Sequence, residues 1–315
     1  LDAINWFLQK YGPKKGLAFG GVQIILVGDL FQLPPIVGHQ EQQYFHQVYQ
    51  TPYFFSAKCY NAVGFQTIQL STIFRQHDDE FITILNKIRN GDMDKPTLDR
   101  LNKRVGAAVT EVESDQPPVT LATTNKVVTD INHSQLDKIP HQAYSFKATT
   151  KGNFPKSGSA LPCPGQLNLK QGARVMFVKN GEYWVNGSLG RVVRLDDNQI
   201  GVKLDRGGSH IVTREEWENI RYGYNPGANE VTTEVTGKLK QYPLRLAWAI
   251  TIHKSQGMTF DKVRLDFSRA PFTHGQTYVA LSRCRSLEGL TLTTPIQPRD
   301  IMVDERIVDF LRSTR

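Results

Sequence analysis

Cysteine is scarce: Cys59, Cys163 and Cys284 are the only three in 315 residues, far apart and without a C-x-x-C pair. This pattern argues against a disulfide framework and a thiolate zinc site, and it fits a reducing compartment. No apolar run approaches the roughly 18 residues of a membrane span, and no charged-then-apolar leader opens the chain, so no membrane partner is expected. Internal repeats are absent, and low-complexity sequence is confined to a Pro/Gly-rich stretch at 152–165. With 39% hydrophobic, 10% aromatic and 22% charged residues, the composition is that of a packed globular chain, not a disordered or fibrous one. The length, 315 residues, is enough for two or three domains of roughly 100–200 residues.

Acidic residues are too few to balance the basic ones, and the excess is uneven. The net charge is +8, yet residues 1–120 carry 11 basic and 12 acidic side chains, whereas 121–315 carry 27 and 18. Lys138 to Gly181 holds seven basic residues (Lys138, Lys147, Lys151, Lys156, Lys170, Arg174 and Lys179) and no acid, with Tyr144, Phe146, Phe154 and Phe177 interleaved. Such a surface suits a phosphate backbone through counterion release, and exposed aromatics stack on bases. A solvated loop with core aromatics explains the same composition equally well.

The pattern changes along the chain. Apolar residues at Leu1, Ile4, Phe7 and Leu8 mark one helix face, with no capping signal before them. Val22–Val27, ended by Gly28, reads as a buried parallel strand. Asp78 or Asp79 caps a helix through Phe81, Leu85 and Ile88, with Gly91 beyond its end. After Pro117-Pro118 a strand at Val119–Ala122 and a helix from about Asn125 to Lys138 open a second α/β region. Short strand-like runs then follow at Arg174–Val178, Arg191–Leu195, Gly201–Leu204 and His210–Thr213, separated by turn residues, as in a small barrel inserted before strand and helix signals return at Leu244–Ile252. A terminal helix is expected at Val303–Leu311.

Four segments carry chemistry. In GGVQIILVGDLFQLPP, Gly20 to Pro35, the side chains of Asp29, Phe31 and Gln32 fall beyond a strand's carboxyl end, where phosphates collect in open α/β sheets. No Glu follows Asp29, which argues against its holding magnesium. In LSTIFRQ, Leu70 to Gln76, Arg75 lies just after a strand-like segment, Phe65–Leu70, and is placed to reach across a cleft, although an ordinary surface ion pair remains the alternative. In LRLAWAITIHKSQGMTF, Leu244 to Phe260, a strand ends in Thr251, His253, Lys254, Ser255, Gln256 and Gly257, a cluster able to bind phosphate oxygens; His253 alone reads as structural. In GQTYVALSRCRSLEGL, Gly275 to Leu290, Arg283 and Arg285 follow a helix. An arginine aimed at a nucleotide from a second domain supplies transition-state charge, worth roughly 10³–10⁵ in rate.

In order and spacing these motifs, with LATTN (Leu121 to Asn125) between them, resemble the later part of a Pif-family helicase, related to RecD in superfamily 1B. RVMFVKN and WVNGSLGRV further resemble that family's entry into an SH3-like inserted domain. The resemblance runs over about residues 1–295. It implies an α/β fold of two RecA-like domains, the first truncated at its N-terminus: residues 1–118 as the later part of domain 1A, 119–171 and 242–297 as domain 2A, 172–241 as the SH3-like domain 2B, and 298–315 as a tail.

The implied roles follow residue by residue. Gln32, Arg75 and Arg283 are the catalytic group, and with Gln256 and Gly257 they bind ATP. Pro34, Pro35, Thr124, Asn125, Thr251, His253 and Lys254 contact DNA, joined by Lys151, Lys156 and Lys170 from the basic stretch, while Asp29 orients its loop. The implied activity is ATP-dependent 5′-to-3′ movement on single-stranded DNA with unwinding of duplex ahead. The partners are single-stranded and forked duplex DNA, the working form a monomer, and the compartment cytoplasm or nucleoid in a prokaryote, nucleus or mitochondrion in a eukaryote.

One departure from the pattern matters. No G-x-x-x-x-G-K-[ST] phosphate loop occurs in these 315 residues, and the Asp-Glu magnesium pair that the resemblance places immediately before Leu1 is not among them. Mg²⁺ ligands are therefore expected outside this chain, and the chain alone is expected to hydrolyse negligible ATP. A non-catalytic single-stranded nucleic-acid-binding remnant is the rival reading, and an RNA-directed relative is another, because phosphate contacts do not distinguish sugars.

Overall fold

The computed structural model describes residues 1–108, 116–155, 161–197, 199–225 and 230–314. Contacts divide the chain into two units, residues 1–113 with 252–315, and residues 114–251.

In the first unit the helix Asp2–Tyr11 is fastened at its start, where the Asp2 carboxylate accepts the backbone N–H groups of Lys58 and Cys59. Phe19 is the one non-glycine residue at positive φ among those described; its N–H donates to Asn5 Oδ1 at 2.8 Å and its ring is buried. The helix Asp79–Asn90 forms as its sequence predicts. Asp78 accepts from the Phe81 N–H, Phe81, Ile84, Leu85 and Ile88 recur at helical spacing and are buried, and Gly91 closes it in the left-handed conformation. Farther along, Val263–Asp266 pairs in parallel with Leu290–Leu292, and between them lies the helix Gln276–Leu281, whose Val279 and Leu281 are fully buried. The terminal helix is Glu305–Ser313; its Phe310 stacks on Phe55 at 4.2 Å and meets Phe54 and Tyr60 edge-on.

Two expectations are corrected here. Val22–Val27 is not a buried strand: it carries no ladder, and Ile25 and Val27 are 75% and 92% exposed. Phe65–Leu70, also strand-like in sequence, is likewise irregular, with Leu70 89% exposed. The reason is that a parallel strand exists only against a hydrogen-bonding neighbour and covering layers, and no described residue pairs with either segment. Composition specifies fitness for a strand, not the partner.

In the second unit Val119–Ala122 pairs in parallel with Ala249–Thr251, and the helix Asn125–Asp137 locks onto the pair through the Asn132 amide, which donates to and accepts from the Ala249 backbone, both at 2.9 Å. The four short runs form strands close to their expected bounds. Leu244–Leu246, Arg174–Phe177, Leu189–Leu195, Ile200–Leu204 and Ser209–Val212 make one antiparallel five-stranded sheet in that order. The strand and helix signals at Leu244–Ile252 resolve into two short strands, Leu244–Leu246 and Ala249–Thr251, and the helix Ile252–Ser255. A long hairpin, Glu215–Asn225 with Glu230–Gln241, pairs with Thr149–Gly152, and Ala143–Lys147 pairs with Gln166–Lys170. Phe146, Phe154 and Phe177 are buried in this unit's cores, so these aromatics pack the interior; they are not a stacking surface.

Candidate functional site

The first unit gathers residues from three distant stretches into one polar cluster. Asp29 organises the loop after 22–28: one carboxylate oxygen accepts from the Phe31 N–H and, at 3.4 Å, from Arg89, and the other accepts from Gln32 Nε2 at 3.2 Å. The loop-orienting role expected of Asp29 therefore has a structural basis. Arg89 also lies over the Phe31 ring at 4.8 Å, and its buried Nε has no hydrogen-bond partner among the described residues. Held this way, Gln32 presents its carbonyl oxygen to Gln256, whose Nε2 donates at 3.1 Å. Gly275, at φ +70°, is required beneath this loop, because a Cβ there would meet the carbonyl oxygens of Phe31 and Gln32 at 2.4 Å.

Gly275 precedes the helix that delivers Arg283. The Arg283 guanidinium is 1% exposed and donates to Val279 O, Met258 O and Ser282 Oγ at 2.9, 3.1 and 2.8 Å. Arg75 reaches the same backbone, donating from Nη1 to Ser282 O at 3.2 Å. Burial, and then the neighbouring Arg75 charge, lower the Arg283 pKa to about 10, so it stays protonated at neutral pH. Neither guanidinium has a carboxylate ion-pair partner among the described residues. Two adjacent cations satisfied only by carbonyls and a hydroxyl create a potential that an anion relieves. A shallow depression at the Gln32 loop is lined in part by Phe31, Gln32, Arg89, His274 and Tyr278, and neither Arg75 nor Arg283 lines it.

The sequence-predicted residues sort clearly. Gln32, Arg75, Gln256 and Arg283 belong to this cluster; Gly257, at φ +84°, is exposed just after Gln256. Pro34 is half-buried and Pro35 exposed. His253 and Lys254 sit on the short helix Ile252–Ser255; partial burial lowers the His253 pKa, leaving it neutral at pH 7, and its ring lies near Phe272 at 6.2 Å. In the second unit Thr124 caps the helix Asn125–Asp137 through the Val127 N–H, with Asn125 exposed at that N-terminus and Thr251 buried.

The basic stretch is less open than its composition suggests. Lys151 is exposed, and Lys156 lies outside the described residues. Lys170 donates to Ile139 O at 2.8 Å and to Asp137 O, which caps the end of the preceding helix. Arg174 is buried in a bidentate pair with Asp205, and Lys179 pairs with Glu215 at 3.0 Å. Among the described residues no group of three or more His, Cys, Asp or Glu is placed to hold a metal ion. The cationic cluster, by contrast, fits the phosphates of a nucleotide.

Gln76, Arg89, Tyr278 and Ser282 belong to the site and were not singled out for it by sequence. The signal for Gln76 was its adjacency to Arg75; for Ser282, its adjacency to Arg283.

The Gln32 loop and the paired arginines sit on an α/β framework that carries a parallel strand pair. The chain belongs to the PIF1-like helicase family, whose match covers residues 3–99. It is 32% identical over 312 residues to the ATP-dependent DNA helicase Pif1 of Bdellovibrio bacteriovorus, covering 97% of this chain and 65% of that one. To the human ATP-dependent DNA helicase PIF1 it is 33% identical over 317 residues, covering 94% of this chain and 44% of that protein. Among solved structures, Bacteroides Pif1 bound to single-stranded DNA superposes with a TM-score of 0.80 at 38% identity, over 99% of this chain and 71% of that one. Pif1 helicase from Bacteroides in complex with ADP-AlF3 and single-stranded DNA gives 0.79 at 38% identity, with the same coverage. The chain thus spans about half to two thirds of the length of these curated relatives.

Proposed function

We propose that the protein containing these residues is an ATP-dependent helicase that moves 5′ to 3′ on single-stranded DNA and opens forked duplex, working as a monomer. The observation that carries this reading is the pair of arginines, Arg75 and Arg283, neither ion-paired to a carboxylate among the described residues, beside the Gln32–Gln256 contact. Relatives named as ATP-dependent DNA helicases, and a solved relative holding ADP-AlF3 with single-stranded DNA, support it.

On this reading residues 1–118 form domain 1A, 119–171 with 242–297 form domain 2A, both RecA-like, and 172–241 form an SH3-like domain 2B. ATP supplies the triphosphate whose cleavage drives the cycle. Gln32 contacts its terminal phosphate, held in register by Asp29 and Gln256, and Gly257 lets backbone approach. Arg75 and Arg283 leave carbonyl acceptors for phosphate oxygens, which draws the segment carrying Arg283 toward the segment carrying Gln32; loss of the phosphate returns both arginines to Ser282 and its neighbours. Pro34, Pro35, Thr124, Asn125, Thr251, His253 and Lys254 hold the DNA backbone, assisted by Lys151 and Lys156; Lys170, taken up by the carbonyls of Ile139 and Asp137, is left out of that set. A neutral His253 holds that backbone as a hydrogen-bond donor, not as a charge. Mg²⁺ takes its ligands from outside these residues.

The test is single-stranded-DNA-stimulated ATP hydrolysis. In the complete protein Arg283→Ala lowers kcat by about 10³-fold or more while single-stranded DNA still binds. These 315 residues alone show no DNA-stimulated turnover. Turnover by the chain alone that Arg283→Ala abolishes, or a complete protein indifferent to the substitution, contradicts the reading, and dependence on a 3′ tail for strand displacement contradicts the direction.

A further inference from the structure

We infer that Gln76 is the positioning residue that sets where Arg283 stands, by bracketing its backbone. The Gln76 side chain is 5% exposed, and its single amide nitrogen donates to the carbonyl of Ser282 at 3.1 Å and to that of Cys284 at 2.9 Å, the residues on either side of Arg283. The remaining carbonyl of the triplet, that of Arg283, accepts the Phe260 N–H at 2.9 Å.

These three residues lie just past the end of the helix Gln276–Leu281, where backbone carbonyls lose their helical partners. A buried carbonyl without a donor is costly, so whatever supplies the donors dictates the path of the chain. A carboxamide is suited to this: one NH₂ group offers two N–H bonds about 120° apart and satisfies two carbonyls at once. A hydroxyl or an indole offers one hydrogen, and a carboxylate none. Arg75 shares the Ser282 carbonyl with Gln76. The neighbouring pair therefore divides the work. Arg75 is the half that a phosphate draws away, and Gln76 is the half that keeps the turn anchored when it goes. The inference rests on the proposed role of Arg283 for its functional meaning, but not for its geometry.

Two substitutions separate donation from packing. Gln76→Met keeps the length and apolar bulk of the side chain and removes both N–H bonds; Gln76→Glu keeps the shape and turns an oxygen toward the carbonyls. In the 315-residue chain, arginine-selective modification by phenylglyoxal with peptide mapping reads the guanidinium directly. Arg283 is expected to react about tenfold faster in both variants, while Arg104, which is tied to the carbonyls of Leu290 and Glu288 in the same unit, keeps its rate. In the ATP-hydrolysing complete protein both variants lower kcat about tenfold or more with KM for ATP unchanged.

Wild-type protection of Arg283 in both variants, or Arg104 rising in step with Arg283, overturns the inference; the second result would make Gln76 a general brick of the fold. Should one variant fail to give a native circular-dichroism spectrum, the other decides. If Arg283→Ala leaves turnover intact, the reading of Arg283 as a catalytic group fails, and the modification rates still judge Gln76.

Discussion

At the residue scale the cations of the cluster are held by carbonyls, Arg283 by those of Val279 and Met258 and Arg75 by that of Ser282. Asp29 illustrates why residue type alone misleads: an aspartate after an apolar run suggests a metal ligand, yet both its oxygens are occupied by Phe31, Gln32 and Arg89. Gly275 sets a sharper condition. Left-handed backbone and a backbone oxygen 2.4 Å from the missing Cβ combine there, whereas Gly257, also left-handed, has open space around it. Gly275→Ala is therefore expected to cost about 2 kcal/mol or more, and Gly257→Ala about 1 kcal/mol, in urea unfolding. Equal costs would show that the loop carrying Gln32 gives way freely, and that Gly275 does not position it.

At the scale of elements, caps and helix faces were readable along the chain, and contact partners were not. Asp78, Gly91 and the Phe81 to Ile88 periodicity announce their helix because every interaction that forms it lies within a few residues. The terminal helix shows the opposite dependence. Its sequence marks it as a helix, but its anchorage comes from Tyr53, whose hydroxyl donates to Asp304 at 2.9 Å across 251 positions, and from the ring of Phe310 among Phe54, Phe55 and Tyr60.

The Arg306 guanidinium, aided by Tyr53, holds the Asp304 carboxyl down at about 2, against an ordinary value near 3.9 in the unfolded chain. A depressed carboxyl stabilises the fold fully above about pH 4, and that stabilisation is lost as pH falls through about 2. The Tm gap between the wild type and Asp304→Asn should therefore be widest near pH 6 and close by pH 2. A gap that stays constant with pH would mean that the carboxylate charge contributes nothing.

For the whole molecule, the uneven charge points to a polyanion, and the tertiary structure decides which charges can meet one. Lys151 is exposed, while Lys170 caps a helix, Arg174 is buried against Asp205, and the hairpin brings Glu215, Glu216 and Glu218 up to Lys179 and Lys238. Lys151→Glu should therefore weaken single-stranded DNA binding and reduce its salt slope by about 1, read by anisotropy across a salt series, whereas Lys170→Glu should act mainly on thermal stability. An unchanged slope for Lys151→Glu would remove that face from the DNA path.

What the amino-acid order determined by itself was everything carried by short-range chemistry: helix caps, turn residues, the strand runs between 174 and 213, and the succession of motifs that marks a PIF1-like helicase. What only the tertiary structure decided were pairings across long separations. Gln76 meets the backbone around Arg283 across 206 and 208 positions, Gln32 meets Gln256 across 224, and Val22–Val27 finds no ladder among the described residues despite an ideal composition. The physical reason is that a hydrogen-bonding group declares in sequence only that it needs a partner. Which partner it finds depends on how the rest of the chain closes around it.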